Sequence, residues 1–181
     1  MSLVGGSASL TKAALYTSAD MIIACGVDFM VETVAVLNPD KKVTISDRGA
    51  VCPMAQQLFA EDLLEAKKNP DAVILIHMNT YAKAKTFADC VCTSGNALRI
   101  AEKMSGGSPI IFGLDRGLSY YVSGRTTKEI ITIHEYGYCP VHHQIALEDL
   151  LKTKKEHLGV QSRWTPLVYT RGTGPDGLAA I

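Results

Sequence analysis

The sequence predicts an α/β fold built from repeated small units, each with a parallel sheet between two layers of helices. Two observations predict this fold. Short apolar runs rich in Ile and Val alternate with longer stretches that place apolar residues at the helical period. The chain also matches itself when it is shifted by 87 positions, which indicates an internal repeat.

Five short apolar runs are predicted strands, because β-branched residues suit a parallel sheet that is covered on both faces. They cover residues 21–25, 43–45, 73–77, 110–113 and 130–133. Good helix formers at helical spacing predict four helices, at residues 29–37, 56–68, 97–104 and 147–157. Two of these helices are followed by residues that stop helices, Asn38 with Pro39 and Gly106 with Gly107.

The repeat defines two units and the beginning of a third. In the 87-residue frame Ser7 coincides with Ser94, and Cys52 coincides with Cys139. The same frame also matches Gly26 and Asp28 with Gly113 and Asp115, Lys41 with Lys128, and residues 61–64 with 148–151. We predict a first unit at residues 1–57, a second at 58–144, and at 145–181 either the start of a third unit or a divergent tail.

Composition excludes several classes of function. The 18 basic and 18 acidic residues give no net charge, so no electrostatic footprint for nucleic acid is expected. No apolar run approaches the roughly 20 residues that span a bilayer, and the first residues lack the pattern of a signal peptide. We therefore expect a cytoplasmic protein with no membrane or nucleic-acid partner.

The cysteines indicate ligation or burial rather than disulfides. There are five, an odd number, and no two of them form a Cys-x-x-Cys pair. Equivalent positions in copies of one unit tend to converge on a shared axis. The loops that follow parallel strands are also where α/β folds build their sites. Cys52 and Cys139 are thus candidates to hold one metal centre together, and a third copy of the unit would add a third thiol.

Several motifs resemble the quinolinate synthase family, in family order and at family-like spacing. The first two of the family's three repeated domains are matched, from about residue 5 to about residue 157. The motifs are GVDFMVET at 26–33, LNPDKKV at 37–43, AVCPMA at 50–55, MNTYAKAKTFAD at 78–89, CTSGNA at 92–97, IFGLDRGL at 111–118 and GYCPVHH at 137–143. The resemblance implies a pseudo-threefold architecture of which this chain largely lacks the third unit.

The resemblance also implies a reaction. Quinolinate synthases condense iminoaspartate with dihydroxyacetone phosphate, losing water and phosphate, to give quinolinate for NAD biosynthesis. The family uses a 4Fe–4S cluster held by three cysteines, one from each domain, and its open iron acts as a Lewis acid. The implied partners are these two small substrates, and pairing of two chains is a further hypothesis.

The resemblance implies functional roles for six residues. They are the cluster ligands Cys52 and Cys139, the substrate-binding Ser7, Asn79 and Ser94, and the catalytic His142. Ser94 precedes a predicted helix, where its hydroxyl and the following N–H groups suit an anion.

The sequence also departs from the family pattern. The family's His-Asn-Tyr and His-Pro-Glu motifs occur nowhere in it, no cysteine follows Cys139, and His77 stands where a tyrosine is expected. The segment after His157 looks unlike the family. These departures keep a second hypothesis open, a truncated and non-catalytic relative or gene fragment that binds a metal or an anion without turnover.

Other interpretations of single residues are simpler. Cys25, Cys90 and Cys92 lie in apolar runs and are predicted to pack in the core. Asp28 and Asp115, at equivalent positions after strands, are predicted helix N-caps rather than catalytic groups. A zinc site formed by Cys139, His142 and His143 remains an alternative.

Overall fold

The computed structural model describes residues 2–104, 106–134 and 136–157. Within these ranges strands and helices alternate, so the predicted α/β class is confirmed. The elements are α1 (Ser7–Tyr16), β1 (Met21–Ala24), α2 (Asp28–Leu37), β2 (Lys42–Ile45), α3 (Ala60–Ala66), β3 (Val73–His77), α4 (Ala82–Lys85), β4 (Cys90–Cys92), α5 (Ala97–Lys103), β5 (Ile110–Gly113), α6 (Arg116–Ser123), β6 (Ile130–Thr132) and α7 (Leu147–Glu156). None of the described helices is both long and apolar enough to cross a membrane.

The described strands form two sheets, and every pairing in them is parallel. β1 pairs with β2, with Met21 opposite Lys42. The second sheet has the order β4-β3-β5-β6, so the chain places β4 outside β3 and then returns across β3 to add β5 and β6. Parallel strands end at the same edge of a sheet, and that edge is where the loops after β3 and β4 lie together.

Helices cover both faces of the second sheet, as the αβα prediction requires. On one face Ile74, Ile76 and Ile111 pack with Leu63 of α3 and Ala84 of α4, forming what we call the α3/α4 core. On the other face Leu75, Ile110 and Phe112 pack with residues of α5 and α6, forming the α5/α6 core. β3 and β5 are therefore buried on both sides, which is why their sequences are almost continuously apolar.

The 87-residue frame is visible in the order and the contacts of the elements. α1, β1, α2 and β2 correspond in order to α5, β5, α6 and β6. Two equivalent lysines make the same contact: Lys41 Nζ donates to the Thr17 carbonyl at 2.8 Å, and Lys128 Nζ donates to the Met104 carbonyl. The superposition of the two halves and the unit boundaries at 57 and 144 stay predictions.

The structure differs from the predicted elements in three places. The predicted helix at 56–68 is instead a 3₁₀ turn, Ala55–Gln57, followed by α3, because Leu58 and Phe59 adopt extended conformations. β4 was not among the five predicted strands, and α1, α4 and α6 were not predicted. Cys25 lies just after β1 and is exposed, so the prediction that it packs in the core is wrong.

The other two apolar cysteines behave as predicted. Cys90 and Cys92 lie on β4, and both pack against the α5/α6 core. Burial raises the pKa of Cys92 to about 12, which keeps it a neutral thiol at physiological pH. Predictions about the tail, including Trp164, lie outside the described residues.

Candidate functional site

Each predicted cluster ligand precedes a short 3₁₀ turn. Cys52 precedes the turn Ala55–Gln57, and Cys139 precedes the turn His142–Gln144. The carbonyl of each cysteine accepts a hydrogen bond from the N–H four residues later, at 3.2 Å for Cys52 and 2.9 Å for Cys139. Both side chains are half-buried, and both pack against the α3/α4 core. The structure therefore places the two thiols in equivalent turns beside one core.

Gln57 joins the two turns directly. Its Nε2 donates to the carbonyl of Tyr138 at 3.0 Å, and its Oε1 accepts from the Tyr138 N–H at 3.0 Å. Nε2 also donates to the carbonyl of Pro53 at 3.0 Å. Because Pro53 follows Cys52 and Tyr138 precedes Cys139, this one amide connects the backbones that carry the two thiols.

The segment before Cys139 passes very close to the end of β5. A Cβ atom added at Gly137 would clash with the Leu114 carbonyl oxygen, so glycine is required for this approach. The Gly137 carbonyl accepts a hydrogen bond from Arg116 N–H at 2.8 Å. These contacts fix the second cysteine turn at the edge where β5 ends.

Asn79 and Ser94 lie together at the same edge of the second sheet. His77 and Cys92 are paired in the register of β3 and β4, and each is followed two residues later by a predicted substrate-binding residue. Met78 N–H donates to the Cys92 carbonyl at 2.8 Å, which continues the pairing past the strand ends. Asn79 and Ser94 are both half-buried, so each keeps some accessible surface.

Asp28 connects the Asn79 loop to the Cys52 loop. Its N–H donates to the Ala50 carbonyl at 2.9 Å, two residues before Cys52. Its Oδ2 accepts from the Tyr81 hydroxyl at 2.6 Å, two residues after Asn79. Burial and this hydrogen bond raise the pKa of Tyr81 above its usual range, so the phenol stays protonated and donates.

The N-cap interpretation is confirmed for Asp115 and is incomplete for Asp28. Asp115 caps α6 by accepting from Leu118 N–H at 2.7 Å. Asp28 is instead the first residue of α2, and only its Oδ1 accepts a local bond, from Phe29 N–H at 2.8 Å. Its second oxygen serves Tyr81, so Asp28 links the two predicted units.

Two further contacts tie the Asn79 loop to α2. Ala82 N–H donates to Glu32 Oε2 at 2.7 Å, and Lys85 Nζ donates to Thr33 Oγ1 at 2.8 Å. Burial lowers the pKa of Lys85 to about 8, against the raising effect of Glu32. These contacts hold α4 against the first unit.

His77, which replaces the family's tyrosine, is a buried neutral acceptor. It is 3% exposed, and its Nδ1 accepts a hydrogen bond from Asn79 N–H at 3.3 Å. Burial, and secondarily the charge of Lys85, lower the pKa of His77 to about 4. The residue therefore shapes the loop of Asn79 without carrying a charge near neutral pH.

His77 should make folding stability depend on pH. The unfolded histidine titrates near 6.5 and the folded one near 4, so stability present above pH 6.5 is lost as pH falls toward 4. We expect His77→Gln to lessen this loss by about 3 kcal/mol. Urea unfolding at a series of pH values measures it, with the exposed His157→Gln as a matched control. Identical pH profiles for His77→Gln and the unsubstituted chain would contradict the burial of a neutral imidazole.

His142 begins the second 3₁₀ turn and has an unsatisfied polar atom. Its Nδ1 is buried and has no hydrogen-bond partner among the described residues. The neighbouring His143 is engaged elsewhere, with its ring centroid 4.4 Å from that of Tyr138. A buried ring nitrogen without a partner is costly unless a water or a ligand completes its hydrogen bonding.

Ser7 borders a cavity in the first unit. It is the first residue of α1 and lines a cavity of about 550 Å³. The cavity is bordered mainly by apolar residues of α1, β1 and α2, and its described lining also includes Cys25 and Gly26. Of the six predicted site residues, this described lining contains Ser7 alone.

The donor set fits part of an iron–sulfur site. Cys52 and Cys139 offer two thiols from equivalent turns beside one core. In the turn after Cys139, the buried Nδ1 of His142 has no hydrogen-bond partner among the described residues. Among the described residues no group of three or more His, Cys, Asp or Glu side chains is placed to hold a metal ion. This result argues against the zinc alternative at Cys139, His142 and His143.

Two residues of the site escaped prediction. Tyr81 gave no signal, since its bond to Asp28 spans 53 residues and depends on how the two units dock. Gln57 did have a signal in the sequence, because the 87-residue frame aligns it with Gln144, five residues after Cys139.

Comparison with known proteins agrees with the motifs. The model of the family described as quinolinate synthetase A protein matches residues 1–166. The chain is 48% identical over 139 residues to the quinolinate synthase of Methanothermobacter thermautotrophicus, covering 76% of this chain and 45% of that protein. It is 44% identical to the quinolinate synthases of Thermococcus onnurineus and Thermotoga maritima, covering 84% and 85% of this chain and 50% and 51% of theirs.

The chain thus spans about half the length of the curated relatives it matches. Its motifs, its parallel sheets and the family match over 1–166 agree with one another. The chain belongs to the quinolinate synthetase A family.

Proposed function

We propose that these residues form part of a quinolinate synthase site in NAD biosynthesis, where iminoaspartate and dihydroxyacetone phosphate condense to quinolinate. Family membership supports the reaction class. The observation that carries the proposal is the double hydrogen bond from Gln57 to Tyr138, because it holds the two cysteine turns together.

In this proposal Cys52 and Cys139 hold two irons of a 4Fe–4S cluster. When bound, the cluster supplies a Lewis-acidic iron that polarises substrate oxygen or nitrogen atoms. The half-buried positions of both thiols support this role, since a ligand must be reachable by the cluster and still fixed by its surroundings.

Asn79 and Ser94 are proposed to bind and orient the substrates at the carboxyl edge of the second sheet. Their amide and hydroxyl groups suit carboxylate or phosphate oxygens. Asn79 is held from both sides, by His77 and by the Tyr81–Asp28 hydrogen bond, so its backbone is positioned before substrate arrives. Ser7 is proposed to contribute to the same substrate from the first unit.

His142 is proposed to hold or move a proton during the loss of water. Imidazole is the most common general acid or base, and the half-buried ring of His142 keeps part of its surface accessible. The 3₁₀ turn places it three residues after Cys139, close to the proposed cluster ligand.

A second candidate is a non-catalytic relative that binds a metal or an anion without turnover. The observation that favours it is that the given sequence contains neither the His-Asn-Tyr nor the His-Pro-Glu motif. The two candidates share the cysteine pair and differ in whether a reaction follows.

Anaerobic reconstitution with iron and sulfide tests the cysteine pair. We expect Cys52→Ala and Cys139→Ala each to lower the iron and sulfide bound per chain by more than about tenfold, because each removes one of two thiolates. Cys25→Ala is the matched control, since Cys25 is exposed and lies outside the two turns. Iron content and the visible absorbance of the cluster are the readouts. Binding that is unchanged in both site variants would show that these thiols are not the ligands.

A further inference from the structure

Gln57 makes a contact that a single hydrogen bond could not replace. Its amide donates to and accepts from the same residue, Tyr138, so it pairs with that backbone as a neighbouring strand would. The assignment of its nitrogen and oxygen is fixed by these partners, since a carbonyl needs a donor and an N–H needs an acceptor. Two-point pairing fixes both the separation and the orientation of the Tyr138 peptide.

The turn that presents Gln57 is itself firmly anchored. Met54 and Leu58, on either side of it, are 2% and 1% exposed and belong to the α3/α4 core. The third bond of the Gln57 amide, to Pro53, ties the side chain back to its own turn. Gln57 is therefore a short, rigid connection between a buried turn and the backbone beside Cys139.

The equivalent position in the second turn behaves differently. Gln144 is exposed, and Val141, the counterpart of the buried Met54, is 69% exposed. The 3₁₀ turn forms in both units, so the backbone conformation does not require a buried, paired glutamine. What distinguishes Gln57 is that a second cysteine turn lies against it.

We infer that Gln57 is a positioning residue that sets the spacing and relative orientation of the Cys52 and Cys139 thiols. This role rests on the proposed function, since it matters only where the two thiols act on one centre. No other uncharged side chain of this length offers both a donor and an acceptor at its end.

Thiol cross-linking in the metal-free chain tests this role without any activity measurement. Rigid dimaleimides of graded length are applied, and mass spectrometry identifies the peptide pair that contains Cys52 and Cys139. We expect the unsubstituted chain to give this pair. Gln57→Met keeps the side-chain length and removes all three bonds, and should lower the initial cross-linking rate at least about fivefold.

The matched control is Gln56→Met, which changes an exposed glutamine of the same turn and should leave the rate unchanged. Reaction of each thiol with a monofunctional maleimide separates altered spacing from altered accessibility. Gln57→Glu is the second variant, for use if Gln57→Met does not fold: it keeps the acceptor for Tyr138 N–H and loses both donors. Because the new carboxylate oxygen would repel the Pro53 and Tyr138 carbonyls, its cross-linking rate should also fall below that of the unsubstituted chain.

The outcomes separate the two levels of the proposal. If no linker cross-links Cys52 to Cys139 in the unsubstituted chain, the proposal of a shared site is contradicted, and the role of Gln57 is contradicted with it. A pair that forms in the unsubstituted chain and at the same rate in folded Gln57→Met would overturn the positioning role alone. The expected result is slower Cys52–Cys139 cross-linking in Gln57→Met, with unchanged labelling of each thiol by the monofunctional maleimide.

Discussion

A polypeptide of these 181 residues, reconstituted anaerobically with iron and sulfide, should form quinolinate at least about a thousandfold more slowly than a full-length relative. Two thiolates leave two irons of a cubane without a protein ligand, so such a cluster should be labile to oxygen and chelators. The sequence offers no further cysteine after Cys139 and no His-Asn-Tyr or His-Pro-Glu motif. The assay supplies iminoaspartate and dihydroxyacetone phosphate and measures quinolinate.

Cys52→Ala and Cys139→Ala serve as controls for that assay, because any true turnover should depend on both thiols. Sustained turnover that disappears in both variants would contradict the prediction. It would favour completion of the site by a second chain, which sedimentation of the reconstituted protein would then reveal as a dimer.

Phe112→Ala should destabilise the fold by about 3–5 kcal/mol. Phe112 is fully buried in β5, where it packs between the sheet and the helices α5 and α6. The truncation leaves a cavity in the α5/α6 core that neighbouring side chains fill only in part. Urea unfolding followed by circular dichroism measures the change in the free energy of unfolding.

Phe59→Ala is the matched control for this truncation. It removes the same side-chain atoms from a residue that is 60% exposed, and we expect less than about 1 kcal/mol. Equal destabilisation by the two substitutions would show that β5 is not the centre of the core.

The two central strands of the second sheet could be predicted closely, because a strand that is buried on both faces has a continuous apolar sequence. The predicted range 73–77 coincides with β3, and 110–113 coincides with β5. Helix α3 was predicted too long, because Leu58 continues the helical apolar spacing although its backbone is extended. Its burial comes from the α3/α4 core, which local periodicity does not describe.

The candidate site was predictable where it follows from the parallel sheet and the repeat. Cys52 and Cys139, which the repeat paired, occupy equivalent turns. Asn79 was expected from the family resemblance alone, and the structure places it and Ser94 after neighbouring strands. The bonds from Gln57 to Tyr138 and from Tyr81 to Asp28 were not predictable in the same way. They span 81 and 53 residues and exist only once the two units have docked.

The packing of the Cys52 turn has a consequence for synthesis of the chain. Met54 and Leu58 precede the second sheet in sequence and are buried in the α3/α4 core, which contains residues of strands β3 and β5. Gln57 finds its partner 81 residues later, which at ribosomal rates is a delay of roughly 4–16 s. A two-stranded sheet such as β1–β2 is at best marginally stable by itself. The nascent first unit therefore leaves the ribosome with its cysteine turn uncovered, and the two halves of the site mature together rather than in succession.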